Sequence, residues 1–113
     1  GLGNIGETAA AQAEQPLTTA LNDPSASVRI AAARALCRMG ELDRGLPVLQ
    51  AELESPQEWG RLAAAIVLDE LDEAARPALA SLQAALNDQP NKYIVRTANK
   101  AVNDLLGTDN RVP

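Results

Sequence analysis

Few residues of this chain could carry out acid–base or nucleophilic chemistry. Histidine, the commonest general base and metal ligand, is absent from all 113 residues. Cys37 is the only cysteine, so it has neither a histidine to activate it nor a disulfide partner. The acidic pairs Asp69-Glu70 and Asp72-Glu73 are neighbours in sequence, and such neighbours do not face each other on a helix. We therefore expect no enzyme activity, no metal site and no catalytic residue.

The first six residues, Gly1-Leu2-Gly3-Asn4-Ile5-Gly6, formally match the dinucleotide-binding pattern G-x-G-x-x-G. That pattern binds a cofactor only between the strand and the helix of a βαβ unit. Extended runs of β-branched or aromatic residues are missing, so strands are not expected. We interpret the glycines as the end of a helix and predict no cofactor.

Three arginines, Arg29, Arg61 and Arg96, recur at intervals of 32 and 35 residues. One interpretation is a ladder that binds anions or carboxylates. The other is structural, in which each guanidinium holds together the turn before its helix, with Asp23 six residues before Arg29. We favour the structural role, because recurrence in every unit is what a rule of the fold would produce.

Trp59 and Tyr93 are the only large aromatic residues, since phenylalanine is absent. At 100° per residue they lie roughly opposite the predicted buried stripes of their helices. The predicted surface patch comprises Ile30, Arg34, Trp59, Leu62, Ile66, Tyr93 and Ile94. An apolar centre with aromatic anchors and a charged rim is typical of a protein interface. Aromatic side chains could equally fill gaps between neighbouring helices, and both interpretations remain open.

The elements that position these residues repeat along the chain. Segments 23–33, 55–65 and 89–99 align, and each has a proline near its start, at Pro24, Pro56 or Pro90. Proline ends one helix and suits the first turn of the next, so each unit reads as two helices, A and B. The A helices are predicted near 9–21, 43–54 and 75–87, and the B helices near 25–39, 57–71 and 92–106.

The predicted helix ends and stripes complete each unit. Ser55-Pro56-Gln57-Glu58 reads as a capping box, and Gly40 and Gly107 stand where left-handed helix ends are needed. The apolar stripe of the first B helix is predicted as Val28, Ala32, Ala35, Leu36 and Met39. One hairpin cannot cover both of its faces, so stacked hairpins and an α-solenoid are predicted. The chain is interpreted as one domain, 1–113, with units near 7–40, 41–72 and 73–107.

The two ends of the pattern differ. Residues 2–7 align with residues 36–41, which suggests the tail of a B helix whose body is missing. Asn99, Lys100 and Asn103 replace apolar residues, as the polar end of a solenoid requires. We therefore expect the C-terminal fragment of a longer array, with a solvated C-terminal face and weak self-association through the N-terminal hairpin.

Charge narrows the class of partner. The net charge is −5 and the pI about 4.6, and an acidic chain repels phosphate backbones. No apolar run approaches the roughly 20 residues of a membrane span. We therefore expect a protein partner, with no nucleic acid and no membrane.

The pattern resembles HEAT repeats of the short bacterial type, also called phycobilisome-lyase HEAT-like repeats. The matching residues are Asp23-Pro24, Val28-Arg29, Ala31-Ala32-Ala33, Ala35-Leu36 and Met39-Gly40. The resemblance implies an all-α, right-handed α-solenoid of about three hairpins, with the B helices lining a concave face. It also implies a role in protein interaction or scaffolding, in which Trp59 and Tyr93 would lie on that face.

A narrower resemblance concerns the second half of the chain. Glu58-Trp59, Arg61, the segment 65–71 and the ending 105–113 are similar to the C-terminal tails of some environmental bacterial sulfatases. This implies, as the alternative function, an accessory domain of a larger extracytoplasmic enzyme. Without that relationship, a cytoplasmic protein is the expectation.

Overall fold

The computed structural model describes residues 16–88 and 91–110, and within these ranges every regular element is helical. After a helical segment at 16–20 come five α-helices, numbered here in chain order. They are α1 (Ala26–Arg38), α2 (Leu42–Glu52), α3 (Glu58–Leu71), α4 (Leu79–Asp88) and α5 (Lys92–Leu106), with a 3₁₀ helix at Asp72–Ala78 before α4. The all-α prediction is confirmed, with α1, α3 and α5 as B helices and α2 and α4 as A helices.

The helices pack as successive hairpins. Helix α1 packs on α2, and α4 packs on α5, while α3 contacts α1 on one side and α5 on the other. The three B helices therefore form one layer. The largest fully buried side chains are Leu36, Leu49, Leu68, Leu82 and Ile94, one from each helix.

Small residues let two of these helices approach closely. A Cβ atom placed on Gly45 of α2 would lie against the Cys37 sulfur and 2.6 Å from the carbonyl oxygen of Ala33, both on α1. No side chain larger than hydrogen fits there, so Gly45 sets the spacing of this hairpin.

The helix ends follow the predicted glycines. Gly40 has φ +89° and Gly107 has φ +67°, the left-handed region that glycine enters without strain. After each glycine the next amide bonds back into the helix, from Glu41 to Leu36 at 2.8 Å and from Thr108 to Asn103 at 3.0 Å. Both ends are therefore glycine-terminated caps of the predicted kind.

The predicted capping box at 55–58 is wrong. Helix α3 begins at Glu58 with Gln57 as its N-cap residue, so Ser55 stands two positions too early. The Ser55 hydroxyl accepts instead from the Gln57 amide at 3.2 Å. The Glu58 carboxylate accepts from the Asn91 side chain at 3.0 Å, which ties the start of α3 to the start of α5.

The predicted stripe of α1 is rotated from the observed one. Ile30 is buried, whereas Val28 and Met39 are exposed. The physical reason is the hairpin with α2, which buries a line of residues at helical spacing that includes Ile30, Ala33 and Cys37. The predicted glycine pattern and truncated helix at residues 1–6 lie outside the described residues.

Candidate protein-binding face

The side of α3 away from the core carries a line of side chains at helical spacing. Trp59, Ala63, Ile66 and Glu70 follow one another at intervals of four, three and four residues. Trp59 is 50% exposed and Ile66 is 43% exposed, while Leu62 beside them is half-buried. Large apolar side chains therefore remain accessible on a helix whose other face is fully buried.

Tyr93 occupies the corresponding place on α5. The buried residues Ile94, Ala98, Ala101 and Val102 lie 34 positions after the buried residues Gly60, Ala64, Val67 and Leu68. The same offset places Tyr93 at the position of Trp59, and Tyr93 is 56% exposed. Its ring also faces the Lys92 ammonium, 5.3 Å from the ring centroid.

Hydrogen bonds at the helix starts fix the two aromatic residues relative to each other. The Asn91 side chain caps α5 by accepting from the amides of Tyr93, at 2.9 Å, and Ile94, at 3.3 Å. Its nitrogen donates to Glu58, the residue before Trp59, at 3.0 Å. One side chain thus joins the first turns that carry Trp59 and Tyr93.

Ion pairs join the three B helices along the same face. Arg34 of α1 pairs with Glu70 of α3 at 2.9 Å, and Lys100 of α5 pairs with Asp69 of α3 at 3.1 Å. Lys100 donates hydrogen bonds to Asp69, which has the larger effect, and to Asp104. Both bonds raise the pKa of the Lys100 ammonium, which stays charged at neutral pH. Exposed pairs of this kind contribute little stability, so their main effect is to hold the charges in place around the apolar centre.

We call the exposed side of the B helices the outward face, defined by Arg34, Trp59, Ile66, Glu70, Tyr93 and Lys100. Ile30 and Ile94, which the sequence placed on such a surface, do not belong to it. Ile94 is 0% exposed and Ile30 is 6% exposed, so both are core residues. Ile94 was misplaced because α3 and α5 were aligned by Arg61 and Arg96, which lie 35 residues apart. The buried faces of the two helices align at an offset of 34 residues.

A family profile described as HEAT repeats matches residues 14–103. The chain belongs to the HEAT-repeat family. Repeats of this family commonly mediate protein interactions, although no partner is identified. No curated protein matches the chain, so the narrower resemblances to phycobilisome-lyase repeats and to sulfatase tails stay predictions.

The three recurrent arginines of the HEAT module have three different environments. Arg29 donates to the carbonyl oxygens of Asp23, at 2.8 Å, and Pro24, at 3.0 Å. Arg61 donates to the Ser55 carbonyl at 2.6 Å. Arg96 is exposed and makes no hydrogen bond to the described part of the chain. Arg29 and Arg61 therefore bind the turn before their helix, and Arg96 makes no such bond within the described residues.

Arg29 also reaches a residue that the sequence analysis missed. Its Nε donates at 2.9 Å to Glu52, a carboxylate buried at the end of α2. The two residues are 23 positions apart, so no local pattern could have linked them. The Asp23 side chain accepts from the Ser25 amide at 2.8 Å and shapes the turn before α1. Asn91 was also missed, although an asparagine just before a helix is a recognisable N-cap signal.

Among the described residues of the module, no group of three or more His, Cys, Asp or Glu side chains could hold a metal ion. In the same part of the chain no helix is long and apolar enough to cross a bilayer.

Proposed function

We propose that this HEAT module is a non-catalytic scaffold that binds a protein partner through its outward face. The observation that carries the proposal is the pair Trp59 and Tyr93, half-exposed at equivalent positions on neighbouring units. The partner segment that fits is apolar where it meets Trp59 and Tyr93 and carries charges of both signs further along the helices, where Arg34, Glu70 and Lys100 lie.

The energetics of interfaces support this assignment. Tryptophan and tyrosine are enriched among the few residues that supply most of the binding energy in protein complexes. In this chain almost every other apolar side chain is small or aliphatic, so aromatic anchors stand out. The bonds through Asn91 hold the two helix starts in place before a partner arrives, which lowers the entropy lost on binding.

A random peptide library selected on the immobilised protein tests the proposal without knowledge of the natural partner. We expect selected peptides to lose at least about 30-fold in affinity when Trp59 is replaced by alanine, equivalent to about 2 kcal/mol. Tyr93→Ala should weaken the same peptides. Gln83→Ala, on the exposed side of α4, is the matched control and should leave their affinity unchanged.

Circular dichroism separates a lost interface from a lost fold. Each variant should keep the helical signal and melting behaviour of the wild type, because the substituted side chains lie outside the core. Peptides that bind both aromatic variants as tightly as the wild type would contradict the proposal, as would a selection that yields no peptides.

A further inference from the structure

A polar edge lies at the C-terminal end of the described residues, on the side of α5 that carries Asn99 and Asn103. The Asn103 side chain pairs with the main chain of Asn110 in both directions. Its Nδ2 donates to the Asn110 carbonyl at 2.7 Å, and its Oδ1 accepts from the Asn110 amide at 3.1 Å. Asn99, one turn earlier, donates to the same carbonyl at 2.9 Å.

Segment 108–110, called the strap here, therefore folds back over the helix edge. The Thr108 hydroxyl adds a bond to Asn103 Oδ1 at 2.8 Å. In the two preceding units the place of Asn99 holds Ala33 and Ala65, which are fully buried. The strap covers part of the predicted solvated face, because both asparagines bind it, while Lys100 stays exposed.

Asn99 and Asn103 bind the main chain of residue 110 and not its side chain. A carboxamide offers one donor and one acceptor side by side, as an extended backbone does in a neighbouring strand. Only the N–H and the C=O of residue 110 are bound by Asn103 and Asn99. Any residue with an amide hydrogen could take that place, and proline could not.

The strap is held by polar contacts alone. Thr108, Asp109 and Asn110 are all exposed, so the strap buries little apolar surface. A groove of about 460 Å³ runs beside it and is lined by residues that include Arg96, Lys100 and Asp104. Because water competes for every hydrogen bond, and ordering the backbone costs entropy, such a strap can be displaced.

We propose that Asn99 and Asn103 form a binding site for an extended peptide main chain, occupied in this chain by its own residues 108–110. The strap is then an internal competitor, and a peptide bound from outside must displace it. The groove beside the site shares Lys100 with the outward face, but Asn99 and Asn103 lie outside that face, and the proposal does not depend on the function proposed for it.

The test measures binding of a labelled peptide with the sequence of residues 107–113 to the 113-residue chain, by fluorescence anisotropy. Asn110→Pro removes the amide hydrogen of the strap and weakens the internal competitor. We expect the labelled peptide to bind this variant at least tenfold more tightly than the wild type. A second substitution, Asn103→Ala in the Asn110→Pro background, should abolish binding, and Asn99→Ala should weaken it several-fold.

Two controls make the result specific. A labelled peptide with proline at the position of Asn110 should not bind, and circular dichroism should show unchanged helicity in every variant. Equal affinity of the first peptide for the wild type and Asn110→Pro overturns the proposal. So does an absence of binding to Asn110→Pro, or binding that survives the loss of Asn103.

Discussion

At the scale of single residues, Cys37 shows how burial decides reactivity. Its sulfur lies in the core beside Gly45, and loss of hydration raises the pKa of the thiol. A thiol with a raised pKa is a poor nucleophile near neutral pH, because only the thiolate reacts. The single cysteine of this chain therefore acts as a small apolar side chain.

The pKa of Cys37 predicts a pH dependence of stability. Because the folded state raises this pKa, the neutral thiol is favoured by folding, and the unfolded chain ionises first. The free energy of unfolding should be unaffected below about pH 8 and should fall as pH rises past about 8.5. Urea unfolding from pH 7 to 9.5 measures the slope, and Cys37→Ala should lack it. A slope that persists unchanged in Cys37→Ala would exclude the thiol as its source.

Asp72 has a positive φ, as the glycines that end the other units do, but its ψ of −123° places it outside the left-handed helical region that Gly107 adopts. It closes the second unit with φ +53°, where Gly40 and Gly107 have φ +89° and +67°. A side chain at positive φ costs about 1–3 kcal/mol, and glycine relieves that strain while making the unfolded chain more flexible. We expect Asp72→Gly to raise the free energy of unfolding by about 1 kcal/mol.

Gly107→Ala is the matched control for Asp72→Gly. Nothing lies within 4 Å of a Cβ placed on Gly107, so any cost comes from the backbone alone. Alanine there should lower the free energy of unfolding by about 1 kcal/mol, measured in urea. Destabilisation by Asp72→Gly would show that the aspartate is not strained.

At the scale of elements, replacing Gly45 of α2 or Gly60 of α3 by alanine should change the free energy of unfolding in opposite directions. Gly45→Ala places a methyl group against Cys37 and the Ala33 carbonyl, so α1 and α2 must separate. We expect a loss of about 1–3 kcal/mol in the free energy of unfolding. Gly60→Ala meets its nearest atom, the Ser55 hydroxyl oxygen, at 3.4 Å and should add about 0.5–1 kcal/mol of helix stability.

Chemical denaturation followed by circular dichroism measures both variants. A neutral Gly45→Ala would mean that α1 and α2 are not in the contact described. A destabilising Gly60→Ala would mean that the start of α3 is more crowded than its 3.4 Å clearance indicates.

The positions of the helices were largely predictable from the sequence, whereas the rotation of each helix about its own axis was not. Pro24, Pro56, Gly40 and Gly107 mark helix ends through local backbone chemistry, so the order of the five described α-helices followed from the sequence, although a 3₁₀ helix replaces the predicted start of α4. The buried stripes of α1 and α5 depend on neighbouring helices, which local spacing does not contain. The arginines misled the alignment of α5, because they place it 35 residues after α3, whereas the buried faces of the two helices align at an offset of 34.

At the scale of the whole molecule, the B helices are joined to one another by side chains from all three units. Arg34–Glu70 and Lys100–Asp69 connect neighbouring B helices, and Asn91–Glu58 connects two helix starts. Contacts between adjacent units are the main source of order in stacked repeats. The side chains of Trp59 and Tyr93 take part in none of these links. The sequence therefore indicated the outward face through these two residue types, but it did not show which neighbouring residues are buried.

The free energy of unfolding of the double variant Trp59→Ala/Tyr93→Ala, measured in urea by circular dichroism, tests most directly whether the outward face is a surface free to bind. Two exposed substitutions on different helices should together cost no more than about 1 kcal/mol. Ile94→Ala, next to Tyr93 but fully buried, should cost about 2–5 kcal/mol in the same experiment. A loss of about 3 kcal/mol or more in the double variant would place the aromatic residues in the core and contradict the account.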